Sequence, residues 1–412
     1  MVRLLVFALL PLTALADGGQ NQRLRIGIEL TATHYDAAQS WLDEGTSKFA
    51  STENGLQAQS LFIDFDRRLA DPLTFHFVAE GYDDNAGRGL DVTEAFFRWR
   101  PLPLNGYRLQ VRAGAFYPRL SLENTADGWR SEFTDSFSAI NTWIGEELRT
   151  FGAEFDLTRR FRVAGQATDA GVFGSIFYAN DPADSLLGWR GWALHARQTR
   201  LDDALPLAAL PTFVPGAEFE AQADYVRPFR ETDDSPGFTA GVRVRVGAQL
   251  VLEAAHYDNR ADPLALENGH YGWGTRFNHV GLRARLPAAV TLVSQWMDGT
   301  SVMGPYTNGW HAVDTAFESY FVLLSRDFGR TQLSARYDTF DVEDRDRTPM
   351  DSNSEDGTSL TVSVRYNFSR DISISGEWQQ VESERAARNY FGVLAAQDET
   401  RLSLTLRALF SL

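Results

Sequence analysis

The side chains with the clearest chemical potential in this sequence are arginines that recur at every second position of short segments. Arg243 and Arg245, for example, alternate with Val242, Val244 and Val246. A guanidinium stays charged and donates up to five hydrogen bonds, so a surface rich in arginine suits anions. Taken singly, each arginine is better explained by a salt bridge to a neighbouring segment, and only the whole set favours anion handling. The arginines predicted to face inward and line a pore are Arg98, Arg100, Arg108, Arg112, Arg162, Arg197, Arg243, Arg245, Arg283, Arg285, Arg336 and Arg365.

The polar face of these segments lies opposite an apolar face. In the last thirteen residues, Leu402, Leu404 and Leu406 alternate with Ser403 and Thr405. A period of two predicts a strand with two unlike surfaces. The same alternation recurs in 23–32, 237–247, 279–286 and 358–368. Arginine on so many polar faces favours a membrane barrel, with lipid outside and a wet lumen inside, over a soluble sandwich.

The connections support the same fold class, since tight turns alternate with longer acidic loops. We therefore predict an all-β protein: a transmembrane antiparallel β-barrel of about 16–18 strands. Counting the alternating segments between these turns and loops gives eighteen strands, with sixteen as the alternative. The proline-rich stretch 200–216 is the hardest to place, because prolines are excluded from central strands. The mean hydropathy of −0.28 fits a barrel with a polar interior.

The N-terminus predicts export. Arg3 precedes a short apolar run, and Ala14-Leu15-Ala16 fits a cleavage site. We interpret 1–16 as a cleaved signal peptide and 17–412 as a single barrel domain in the bacterial outer membrane. The alternative for this segment is a buried N-terminal helix or strand. The absence of cysteine excludes thiolate metal sites, cysteine nucleophiles and a disulfide framework.

Charge and motifs exclude other function classes. The chain has 39 basic and 55 acidic residues and a net charge of −16, which disfavours a nucleic-acid partner. The seven histidines show no metal-ligand spacing, and no hydrolase or phosphate-loop motif occurs. We expect no catalytic residue, no metal site and no cofactor. A lipid-cleaving barrel stays open as an alternative, because its serine and histidine would come from different strands.

Residues 117–147 form the longest predicted connection and carry several large aromatic side chains. Large aromatic side chains in a connection argue against a disordered external loop. We predict that this segment folds into the lumen as a constriction loop, with an outward-facing lid as the alternative. Opposed charges on the loop and the wall would then create a field across the pore. The residues predicted to form the constriction are Glu123, Asp127, Trp129, Arg130, Glu132, Asp135 and Trp143.

Three segments resemble the phosphate-selective porin family of Gram-negative outer membranes. They are Val111 to Pro118 with Ser121-Leu122-Glu123, Pro287 to Gly299, and Leu333 to Phe340. The spacing of strands and turns is similar over most of the chain, whereas the amino acids themselves are similar only in these three segments. It implies trimers of sixteen-stranded barrels with an inward-folding loop, an arginine wall and a lysine cluster. This sequence departs from the last feature, because Lys48 is its only lysine.

Together these patterns predict a porin that allows passive diffusion of small anionic or polar solutes, with phosphate as one candidate. The predicted partners are outer-membrane lipid and lipopolysaccharide, the small solutes themselves, and two further copies in a homotrimer. The runner-up is an outer-membrane hydrolase, or a structural barrel whose lumen is closed. The acidic runs 341–346 and 351–356 are either divalent-cation sites that bridge lipopolysaccharide or simply solubilising loops.

Overall fold

The computed structural model describes residues 21–84, 86–87, 89–307 and 309–411, so the predicted signal peptide lies outside the described residues. Within them, sixteen strands form a closed barrel. The strands are β1 (Gln22–Asp36), β2 (Gly55–Ala70), β3 (Leu73–Gly81), β4 (Leu90–Trp99), β5 (Tyr107–Phe116), β6 (Thr150–Val163), β7 (Gln166–Tyr178), β8 (Gly237–Val246), β9 (Leu250–Asp258), β10 (Gly274–Arg285), β11 (Val290–Met303), β12 (Val313–Phe328), β13 (Thr331–Asp344), β14 (Glu355–Asn367), β15 (Ile372–Arg385) and β16 (Ala396–Ser411).

Each strand pairs antiparallel with its neighbours in the sequence, and β1 pairs with β16 to close the sheet. The transmembrane all-β barrel prediction is confirmed, with sixteen strands. The count of eighteen is wrong, because part of the chain between β7 and β8 alternates like a strand without joining the barrel. That connection, 179–236, includes the unclear stretch 200–216. In the described residues no helix is long and apolar enough to span a membrane.

Burial along the strands is inverted relative to a soluble sheet. On β16, Leu404 is 53% exposed on the outer surface, whereas Thr405 beside it is 1% exposed inside the barrel. Outward aromatic rings lie near one another on adjacent strands. Trp296 of β11 is opposite Tyr320 of β12, and Tyr337 of β13 is opposite Val322, two residues along β12 from Tyr320. An apolar outer band bordered by such rings is the surface that lipid covers.

The two ends of the barrel differ in their connections. Short turns join the strands at the end that holds both chain termini, and the turn between β6 and β7 reverses at Ala164 and Gly165. We call this end the short-turn mouth. At the other end, the longest connections are 117–149 and 179–236, and both contain many buried residues. The prediction that 117–147 is the longest connection is therefore wrong.

The hydrophobic core lies inside the barrel, not between layers. Buried side chains from 117–149 and from 179–236 pack with inward-facing residues of the wall, among them Phe277, Phe317 and Phe340. Two helices belong to these connections, α1 (Ala139–Glu147) and α2 (Ser185–Arg190). Ser138 caps α1 by accepting a hydrogen bond from the backbone N–H of Asn141. The connections thus supply the packing that a water-filled lumen would lack.

The outer band gives a direct test of orientation. Leu406 lies midway between Leu402, which pairs with the aromatic Trp378, and Phe410 at the opposite end of the band. Leu406→Arg places a guanidinium in lipid and is expected to lower the free energy of unfolding by about 2–4 kcal/mol. The measurement is equilibrium unfolding of the barrel in lipid vesicles, followed by tryptophan fluorescence.

The matched control is Leu394→Arg, because Leu394 is exposed in the connection between β15 and β16. This control is expected to leave the stability unchanged. Equal effects of the two substitutions would contradict the assignment of the outer face to lipid.

Candidate functional site

Residues 117–149, which we call the inner plug, lie within the lumen. Their hydrogen-bond partners stand on opposite parts of the wall: Asp64 of β2 accepts from Gly128 N–H, and Asp338 of β13 accepts from Ala139 N–H. Gln295 of β11 accepts a third bond, from Leu122 N–H. A segment that contacts inward-facing residues on β2, β11 and β13 must cross the interior. The structure therefore extends the predicted 117–147 segment to 149 and places it inside the barrel.

Arg336 on β13 holds one side of the inner plug. Its guanidinium is fully buried and pairs with Glu123 of the plug at 2.9 Å and with Asp338 of its own strand at 2.8 Å. It also donates to the backbone carbonyls of Ser136 and Phe137, at 2.8 and 2.7 Å. A planar fork with five donors can satisfy all these acceptors at once, which a lysine cannot.

The neighbouring strands extend this grip. Glu377 of β15 accepts hydrogen bonds from the N–H groups of Asp135 and Ser136 and pairs with Arg401 of β16. Arg365 of β14 lies 3.3 Å from the Asp135 carboxylate and donates to the carbonyl of Glu132. Each buried charge on this wall has an opposite charge beside it, which offsets the cost of removing it from water.

The opposite wall holds the plug with the charges reversed. Arg130 of the plug pairs with Glu80 of β3 at 2.8 Å and with Glu29 of β1 at 3.3 Å, and it donates to Ser60 of β2. Asp127 pairs with Arg23 and Arg25. On this wall β1 therefore supplies both signs of charge, a carboxylate to Arg130 and two guanidinium groups to Asp127.

Aromatic packing fills the space between these pairs. Trp143 of α1 is fully buried and lies edge-on to Phe277, Phe317 and Trp192, with ring centroids 5.1–5.9 Å apart. Trp129 stacks on Tyr117 at 4.4 Å. These contacts explain why a connection carries large aromatic side chains: they supply buried apolar area in the centre of the barrel.

A second segment, residues 180–200, covers the inner plug on the long-connection side, and we call it the outer plug. Arg190 pairs with Glu146 of α1 at 2.6 Å, and His195 lies 2.9 Å from the same carboxylate. Burial alone would raise the pKa of Glu146, but Arg190 and His195 outweigh it and lower the pKa to about 2. The adjacent Glu147 accepts hydrogen bonds from Trp143 and Leu186, but burial outweighs them and raises its pKa to about 7.

The outer plug includes Arg197, which was predicted to line the wall. Arg197 is not on a barrel strand; it pairs with Asp84 at 2.5 Å and with Asp203 at 2.8 Å. The single lysine, Lys48, also serves this segment, since it pairs with Glu355 of β14, which accepts from Trp192 N–H. Burial lowers the pKa of the Lys48 ammonium to about 7, although Glu355 opposes the shift.

The remaining predicted arginines fall into two groups. Arg112 forms two bonds to Glu154, Arg243 pairs with Glu253, and Arg283 pairs with Glu132 of the plug. The second group lies toward the short-turn mouth and comprises Arg98, Arg100, Arg108, Arg162, Arg245 and Arg285. Arg98 lies 3.8 Å from Asp66, and Arg285 donates to Thr291.

Several of these arginines surround a cavity of about 180 Å³ at the short-turn mouth, which we call the arginine basin. Asp156 and Asp169 are the acidic side chains of the basin, and Arg160 already pairs with Asp169. Within the described residues, no side-chain hydrogen bond or ion pair involves Arg100, Arg108 or Arg245. An excess of unpaired guanidinium groups attracts anions to this surface. The basin arginines are Arg100, Arg108, Arg119, Arg243 and Arg245.

A second polar cavity, of about 90 Å³, lies between β1, β2 and the outer plug. Its lining includes Glu29 and Arg130 at one end and Asp83 and Asp84 at the other. The carboxylates Glu29, Glu80 and Glu377 were missed by the sequence analysis, which selected inward arginines and not their partners. Their alternation with apolar neighbours was the available signal.

Comparisons with known proteins agree with the architecture. No known family model matches the sequence, and no curated protein matches it. Among solved structures, the outer membrane channel DcaP of Acinetobacter baumannii is similar with a TM-score of 0.54 at 11% identity, covering 94% of this chain and 97% of that chain. OmpT of Vibrio cholerae, in a trimer form, gives 0.49 at 9% identity, covering 95% and 98%. A mutant of the Rh. blastica porin gives 0.42 at 13% identity, covering 94% and 99%.

The likeness to DcaP shows a shared fold over nearly the whole of both chains. The coarser part of the resemblance stated above, a closed sixteen-stranded barrel of the outer-membrane type, is thereby confirmed. Membership of the phosphate-selective family stays a prediction.

The ion pairs and hydrogen bonds of Arg336 with the inner plug can be tested by substitution. Arg336→Met leaves Glu123 and Asp338 buried without their partner, a change that costs about 3–5 kcal/mol. Because the barrel strands do not depend on the plug for their ladder, we expect the inner plug to detach while the barrel persists. Trypsin should then cleave after Arg119 or Arg130 in the folded, detergent-solubilised protein.

The control is Arg326→Met, since Arg326 is exposed on the outer face of β12. It should preserve the digestion pattern of the unaltered protein. An identical, resistant pattern for Arg336→Met would mean that the ion pairs do not hold the plug.

Proposed function

We propose that this protein is an outer-membrane porin of narrow bore that passes small anionic or polar solutes by passive diffusion. The observation that carries the proposal is the arginine basin, where five arginines outnumber two carboxylates. In the described part of the chain, Arg100, Arg108 and Arg245 form no side-chain hydrogen bond or ion pair, although Asp169 attracts Arg108 and Arg245 electrostatically. Groups that served only to stabilise the wall would be paired, as Arg112 and Arg243 are. Rings of one charge sign in a pore select counter-ions.

The two plugs set the width of the proposed path. They leave polar cavities on both sides of the lumen, one beside Glu29 and Arg130 and the other at the basin. A solute moving between them passes the charged pairs that join the inner plug to the wall. We propose that the pairs act as a constriction in which carboxylates and guanidinium groups orient a polar solute. Phosphate is one solute of the proposed class.

A filled lumen also favours the runner-up, a structural barrel that conducts nothing. The observation behind it is the near-complete burial of residues 180–200. The two proposals differ in planar lipid bilayers: a porin gives stepwise current in salt, and a closed barrel gives none. An absence of steps from purified, folded protein would therefore reject the porin.

Assembly and surroundings belong to the same proposal. We propose a homotrimer in the outer membrane, with lipid against the apolar band and lipopolysaccharide at the long-connection end. Outward carboxylates lie at that end, where Asp341 of β13 is opposite Asp356 of β14. No catalytic role is proposed for any residue.

Ion preference tests the role of the basin. Arg108→Glu with Arg245→Glu exchanges two unpaired positive charges for negative ones, whereas a change at Arg243 would also strand Glu253. We expect the reversal potential in a salt gradient to shift from anion preference toward cation preference. The measurement uses bilayers containing the purified variant.

The control is Arg326→Glu, which makes one arginine-to-glutamate exchange on the outer face near the same end of the barrel. It should leave the reversal potential unaltered. If the double variant also keeps the original preference, the basin lies outside the path of the ions.

A further inference from the structure

Three metal-ligating side chains meet on the inner wall near the short-turn mouth. Asp64 and Asp66 are two positions apart on β2 and so share its inner face, and the register places Asp66 opposite His76 of β3. One ligand atom from each lies within 4.8 Å of the others. We propose that Asp64, Asp66 and His76 form a binding site for a divalent first-row transition metal such as zinc.

The donor set suits such an ion. One imidazole nitrogen with two carboxylate oxygens is a combination that zinc accepts, and hard ions such as calcium prefer six to eight oxygens instead. A tetrahedral zinc ion with bonds of about 2 Å spaces its ligands roughly 3.3 Å apart. His76 Nδ1 and Asp66 Oδ1 are already 2.9 Å apart. Binding therefore asks for small side-chain movements on a rigid pair of strands.

The far side of the imidazole is also arranged as in metal sites. His76 Nε2 lies 3.9 Å from Glu94 Oε2 on β4, and the Phe96 ring packs against the imidazole at 4.7 Å. Metal-ligating histidines donate their second N–H to a carboxylate, which fixes the ring and raises its basicity. With Nδ1 toward the metal, a small movement of the Glu94 carboxylate from 3.9 Å to hydrogen-bond distance would put it in that place.

The site opens into a cavity of about 330 Å³ beneath residues 124–128 of the inner plug. Asn124 lines this cavity and is 4% exposed, and neither of its side-chain polar atoms has a hydrogen-bond partner among the described residues. Buried amides are nearly always satisfied, so an orphan one needs an explanation. A water molecule that completes the coordination of the ion would lie in the same cavity as Asn124 and could form a hydrogen bond with its side chain.

Arg23 competes for the same carboxylates. Its guanidinium lies 3.3 Å from Asp64 and 2.5 Å from Asp66, with its side chain 44% exposed at the start of β1. An exposed arginine contributes little stability through such pairs and can turn into solvent. If the cluster is only an ion-pair network, removing Arg23 leaves two repelling carboxylates. If the cluster binds metal, removing Arg23 frees two ligands.

The test is zinc binding to protein without a polyhistidine tag, measured by isothermal titration calorimetry in detergent. We expect one site per chain that is lost in His76→Ala and weakened about 10–100-fold in Glu94→Gln. The control His256→Ala removes an outward histidine of β9 that contacts Asn278, and should retain the site. Heat-modifiable migration on gels confirms that each variant is folded.

Arg23→Ala distinguishes a metal site from a simple ion-pair network, because only a metal site predicts that zinc affinity rises. We expect tighter zinc binding in this variant, because the competing cation is gone. Zinc binding that is absent from the unaltered protein, unaffected by His76→Ala, or weakened by Arg23→Ala would overturn the proposal. Conductance does not enter these measurements, so the outcome is independent of the porin proposal.

Discussion

The packing inside this barrel depends on pairing buried arginines with buried carboxylates. A closed sheet with a polar inner face normally keeps its side chains in water, but here two chain segments displace that water. Isolated charges would make such filling prohibitively unfavourable. Arg336 between Glu123 and Asp338, and Arg130 between Glu29 and Glu80, show the solution. The abundance of arginine over lysine follows from it, since a guanidinium serves several acceptors with fixed geometry.

The same constraint separates structural from functional arginines. Arg112, Arg243, Arg336 and Arg365 are engaged with carboxylates, so their charges are neutralised where they stand. Toward the short-turn mouth the balance changes, and the five arginines of the basin outnumber its two carboxylates. A chain with a net charge of −16 thus has a positive patch inside the barrel. The location of that patch, and not the number of arginines, is the basis of the proposed anion preference.

The barrel fold could be predicted from the sequence because alternation, turn lengths and polar inner faces are local patterns, each visible within one strand or one turn. It predicted that 117–147 lies inside because Trp129 and Trp143 need a core. The sequence did not predict the outer plug, because residues from Trp192 to Thr199 alternate in polarity as a barrel strand does. A period of two indicates an extended chain, but it does not show whether that chain pairs with another strand. The partners Glu29 and Glu80, and the cluster of Asp64, Asp66 and His76, depend on register between strands, which no local pattern records.

The central claim is that the inner plug lies against the wall inside the barrel, and an engineered disulfide tests it most directly. A Cβ at Gly281 of β10 would lie 3.2 Å from Cγ of Leu122, a spacing that permits a disulfide between cysteines. The chain has no other cysteine to interfere. In Leu122→Cys combined with Gly281→Cys, we expect the folded protein to cross-link on mild oxidation, seen as a gel shift that reductant reverses. Folded protein in which both thiols stay free and react with a bulky maleimide would contradict the account.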